Sequence, residues 1–204
     1  MPITALYAGA LLRLGKNKEA AYFFTKAFTG GKAKRVSNFL VFRWSITGKD
    51  YTKKTDENSF LQLCKSNKEK ASMMSLFAMH GDSTRIADIK KIYALNPAAE
   101  ELEILVTREI NKLEDRYLTR TLEKEKGGKH FYYSWSDYNG ELSETEYKKT
   151  GVQVRDMTGL LLGMAANKQI VNPAFMQTSA AYCAFMLRDY DKAIEYINTA
   201  EKMN

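Results

Sequence analysis

The chain has 204 residues, 45% of them apolar, enough to bury the core of one ordinary domain or of a short array. It carries 31 Lys and Arg against 24 Asp and Glu, a net charge of +7, and only 2 cysteines, which argues against a disulfide framework or a zinc site. No apolar run approaches the roughly 20 residues a membrane span needs, and 3 prolines in the whole chain favour helices over a sandwich or barrel.

In chain order, the apolar spacing predicts a first helix from about Ile3 to Leu14 and a second from about Lys18 to Thr29. The opening segment lacks the basic region of a signal peptide and reads as a helix of the fold. Gly30 and Gly31 are expected to close the second helix in the left-handed conformation glycine accepts. A third helix, about Ala33 to Thr47, carries Val36, Phe39, Leu40, Arg43 and Trp44 as its apolar stripe, and Gly48 ends it. After a polar loop at 49–55, Asp56 caps a fourth helix with Phe60, Leu61, Leu63 and Cys64. A fifth, about Lys68 to Met79, turns Ala71, Met73, Met74 and Phe77 inward, and a sixth follows Ser83 with Ile86, Ile89, Ile92 and Tyr93.

The seventh helix is long, about Ala98 to Lys126, with no internal glycine or proline and an acidic start that suits the helix dipole. Residues 129–150 break the pattern. An eighth helix runs from about Val152 to Asn167, with Val154, Met157, Leu160, Leu161 and Met164. The end of the chain, from Asn172, is a hairpin of two helices. Phe175, Thr178, Ala181, Tyr182, Phe185 and Met186 mark the first helix; Ala193, Ile194, Ile197 and Ala200 give the second one face.

The two ends of the chain repeat one pattern. Ala193, Ile197 and Ala200 follow Ala181 at the C-terminal end, as Ala20, Phe24 and Ala27 follow Ala8 at the N-terminal end. This packing skeleton resembles the tetratricopeptide repeat, with Gln177 where that family's first-helix tryptophan would stand. The resemblance implies a right-handed all-α solenoid of about five helix hairpins, one domain over 1–204 with an insertion at about 127–150. Ala20 and Ala193 lie further apart than four steps of about 34 residues, and the surplus falls mostly in that insertion. The end of the chain lacks the polar capping helix of such solenoids and reads as a piece of a longer array.

Catalytic chemistry finds little footing. The Gly30-Gly31-Lys32 and Gly127-Gly128-Lys129 runs lack the upstream glycine of a phosphate loop and follow no strand. His80 and His130 have no ligand-spaced partners, so no metal, cofactor or enzymatic activity is expected. Cys64 and Cys183 read as buried free thiols.

Three binding readings remain. The resemblance implies a non-enzymatic scaffold for a protein or peptide, with a groove that includes Tyr182, Phe185 and Met186. The lysine and asparagine clamp of family members that bind chaperone tails is not matched at Ala5, Gly9, Thr178 and Tyr182. The insertion packs Phe131, Tyr133, Trp135 and Tyr138 into eight residues, a contact surface or a stacking platform for a carbohydrate. The whole charge excess sits in the first 60 residues, around Lys32, Lys34, Arg35, Lys49, Lys53 and Lys54, where a nucleic acid or other polyanion could bind. The chain reads as soluble, with its compartment and oligomeric state left open.

Overall fold

The computed structural model describes residues 2–31, 34–48, 55–81, 83–127 and 143–203. Among them every regular element is a helix and there is no strand. The elements are α1 (Pro2–Arg13), α2 (Asn17–Thr29), α3 (Arg35–Thr47), α4 (Glu57–Leu61), α5 (Asn67–Ala78), α6 (Ile86–Leu95) and α7 (Glu101–Leu113). A π-helical turn (Glu114–Thr119) leads from α7 into α8 (Arg120–Glu125). Then come α9 (Glu144–Ala165), α10 (Pro173–Met186) and α11 (Tyr190–Glu201). No described helix is long and apolar enough to cross a membrane.

The chain divides into two compact units. The first holds Met1–Gly81 and Lys91–Glu101, the second Asp82–Lys90 and Leu102–Asn204, so the division runs through α6. In the first unit α2 packs on α1, α3, α4 and α5. Its buried face is small where helices cross closely and aromatic where gaps open: Ala20, Ala21, Phe24, Ala27 and Phe28. Phe77 of α5 sits between the rings of Phe42 and Phe60, edge-on to both, with centroids at 5.2 and 5.8 Å.

The α3 expectation is corrected in its facing. α3 buries Asn38, Phe42, Ser45, Ile46 and Thr47, and leaves Val36, Leu40 and Trp44 exposed. The hydroxyls of Ser45 and Thr47 donate to the carbonyls of Val41 and Arg43 within the helix, so this face enters a close contact without unpaired hydroxyls. The glycine expectation is also corrected at one end. Gly48 and Gly127 do take left-handed backbone, with φ of 62° and 73°, whereas Gly30 closes α2 with φ −82°.

In the second unit α9 buries Val154, Met157, Leu161 and Met164 at helical spacing, and α10 packs between α9 and α11. α9 begins seven residues before Gly151, inside the segment read as insertion. Ser143 and Glu146 form a reciprocal capping box: the Ser143 hydroxyl accepts from Glu146 N–H, and the Glu146 carboxylate accepts from Ser143 N–H. The helix then runs through Gly151, which lies under the ring edge of Tyr117; a Cβ there would stand 2.9 Å from Tyr117 Cε2.

Tyr117 belongs to the π-helical turn, which replaces the uninterrupted seventh helix of the sequence reading. Its ring stacks on Tyr147 of α9 at 5.1 Å. Thr121 Oγ1 donates to the Tyr117 carbonyl, so the Tyr147 hydroxyl donates to Thr121, at 2.8 Å. In the last turns of α7, buried Glu109 accepts from Arg85 N–H, and Lys112 bridges Glu109 and the Ser83 carbonyl, fixing the start of α6.

Candidate functional site

The junction of α10 and α11 builds the site. Asn172 caps α10 by accepting from Phe175 N–H, with Pro173 in the first turn, where a missing N–H costs nothing. α10 ends at Leu187 in a two-bond closure: Arg188 N–H donates to Phe185 O and Asp189 N–H donates to Ala184 O. Arg188 takes the left-handed position of this motif, φ 66°, which a glycine would usually hold. The next residue, Asp189, caps α11 by accepting from Lys192 N–H. Two residues therefore end one helix and start the next, and the helices leave the turn side by side.

Between them lies an open apolar groove of about 380 Å³. α10 contributes Thr178, Ala181, Tyr182 and Phe185, and α11 contributes Tyr190, Ala193, Ile194 and Ile197. Tyr182 and Phe185 stack at 6.0 Å, and Tyr190 leans on Phe185 at 5.9 Å. The Tyr190 hydroxyl accepts from Arg188, whose guanidinium is held by both oxygens of Glu125 at 2.6 and 2.7 Å. Hydrogen bonding to Tyr190 and Glu125 raises the Arg188 pKa. The left-handed arginine thus fixes the aromatic end of the groove.

Of the residues the sequence singled out, Tyr182 and Phe185 come together in this groove. Met186 does not line it and is fully buried. Phe131, Tyr133, Trp135 and Tyr138 lie outside the described residues. Tyr190, Ile194 and Ile197 were missed as a surface, because their spacing is the same whether a helix face is covered or bare. Ile194 is 61% and Ile197 39% exposed, and among the described residues of α11 only Ala200 is buried.

Burial pushes the Cys183 thiol up to about 12; burial and then the Glu69 charge push Cys64 up to about 11. Both are protonated at neutral pH and neither is a poised nucleophile. Among the described residues no group of three or more His, Cys, Asp or Glu side chains could hold a metal ion. Of the basic residues early in the chain, Arg35 is paired with Glu100 at 2.8 Å and Lys26 with Glu69 at 3.4 Å. Neither a family model, nor a curated protein, nor a solved structure matches the chain.

Proposed function

We propose that this chain is a non-enzymatic interaction module, a tetratricopeptide-like right-handed solenoid of helix hairpins, and that its α10–α11 groove receives the apolar face of a helix from a protein partner. The observation that carries the reading is the bare apolar face of α11. The equivalence of Ala20 and Ala193 sets Ala21 against Ile194 and Phe24 against Ile197. On α2, with α1, α3 and α5 packed around it, both positions are buried. On α11 the isoleucines at these positions stand in solvent, 61% and 39% exposed. What covers the first copy is helices, so a helix is the fitting occupant for the second. Apolar clefts with few polar groups bind by shape and desolvation, and helices enter them with anchors at i, i+3, i+4 and i+7.

Selection of displayed random peptides on the purified chain tests this. Enriched sequences should carry that anchor spacing. Ile194→Glu should weaken them at least tenfold, since it puts a charge where an apolar anchor is desolvated. Enrichment of peptides without helical spacing, or binding indifferent to Ile194→Glu, would overturn the reading.

A further inference from the structure

The strongest unpartnered surface outside the groove is on α1, and it has the shape the groove lacks. The sequence of α1, PITALYAGALLR, is apolar nearly all round. Ala8 and Leu11 are buried, and α1 packs on α2. Away from that contact stand Ile3 and Leu6, exposed by 79% and 74%, and Ala10 continues the line; Tyr7, 52% exposed, flanks it with its ring edge-on to Phe23 of α2 at 4.9 Å. These four residues are spaced 3, 1 and 3, one helix stripe. A helix that is apolar on every side is normally covered on every side.

We propose that the groove between α10 and α11 is filled by α1 of a second copy of this chain. The proposal rests on the helix-in-groove reading above and names its occupant. Ile3, Leu6, Tyr7 and Ala10 are the i, i+3, i+4 and i+7 anchors that such a groove selects. Ala181 and Ala193 keep the groove floor low, so the incoming backbone comes close, while Phe185 and Ile194 form walls.

Charge complements shape. α1 ends in Arg13, followed by Lys16, both exposed, and no acidic residue occurs before Glu19. α11 carries Asp191, Glu195 and Glu201, all exposed, and its Lys192 is already paired with Asp189 at 2.8 Å. With α1 antiparallel to α11, Arg13 lies at the Asp191 end, beside the acidic first turn of α11. Because stripe and groove are different surfaces, the contact is heterologous: each added copy brings one used and one free surface, and assembly continues until it closes or runs out of protein.

Two exposed substitutions test it, Leu6→Glu on the stripe and Ile194→Glu in the groove, with Leu6→Gln and Ile194→Gln as uncharged counterparts. Both positions are outside the core, and circular dichroism checks that each variant stays helical. Sedimentation equilibrium of the intact chain should show an average mass that rises with concentration. Each variant alone should self-associate at least tenfold more weakly. An equimolar mixture of Leu6→Glu and Ile194→Glu should form a 1:1 dimer and stop there, because one partner supplies the intact groove and the other the intact stripe. A same-to-same contact would not be rescued by mixing.

A wild-type chain that stays monomeric at about 1 mM, the weak end of specific association, overturns the proposal. So does assembly that ignores either substitution, or a mixture that yields no dimer. The peptide selection separates this failure from the other. Helical peptides lost on Ile194→Glu keep the groove reading even if α1 is not its occupant.

Discussion

At the residue scale, Gly151 shows how a single missing side chain sets a contact. Helix interiors disfavour glycine by about 1 kcal/mol relative to alanine, and α9 carries three glycines. Only one is needed for space. A Cβ at Gly151 would stand 2.9 Å from the Tyr117 ring, whereas Gly159 and Gly163 would meet nothing within 4 Å. Tyr117 cannot easily yield, since its ring is stacked on Tyr147 and its backbone forms the π-helical turn. Gly159→Ala and Gly163→Ala should therefore each stabilise the chain by about 0.4–1 kcal/mol, through helix propensity and a less free unfolded chain. Gly151→Val should destabilise it by about 1–3 kcal/mol by overpacking. Urea unfolding of the three variants checks the difference in sign; a uniform response would mean that the ring does not depend on that gap.

At the element scale, the periodicity of apolar residues was enough to find nearly every helix, because a helix needs only one apolar face to be legible. What it could not give was which apolar face is inside. α3 has two, and the one the sequence favoured, with Val36, Leu40 and Trp44, is the outer one. α11 has one, and that face lines an open groove instead of a core. The early start of α9 was readable from Ser143 and Glu146, but the aromatic run ahead of them and Gly151 behind them drew the boundary too late. The left-handed Arg188 was invisible, because arginine gives no turn signal. Its side chain explains its presence: it ties Glu125 to the Tyr190 hydroxyl. Arg188→Gly should relieve the backbone while releasing both side-chain contacts. The thermal midpoint should move by no more than a few degrees, while peptides selected on the groove should bind about fivefold more weakly, the scale of lost exposed polar support. Unchanged affinity, measured by calorimetry, would remove Arg188 from the site and leave Tyr190 held by Phe185 alone.

At the scale of the whole molecule, the question is whether the net charge of +7 acts as a patch or as a sum. The excess lies within the first 60 residues, which is the footprint expected of a polyanion site. Two of its described members are committed elsewhere. Arg35 pairs with Glu100 and lies over the Phe28 ring, and Lys26 pairs with Glu69. A cation already shared with a carboxylate has less to gain from a phosphate, because the existing partner must first be given up. A heparin column separates the two cases. One variant replaces Lys32, Lys34, Lys53 and Lys54 with glutamine; another replaces Lys68, Lys90, Lys91 and Lys168, which are exposed and lie later in the chain. Both lose the same charge. If the charge acts only as a sum, the two variants elute at nearly the same salt concentration, both earlier than the parent, because weak attraction follows net charge through the ionic atmosphere. We expect that result, since Arg35 and Lys26 are already paired with Glu100 and Glu69. If the first variant alone loses retention, counterion release from a localised site is the cause, and the first third of the chain becomes a second binding surface, independent of the groove.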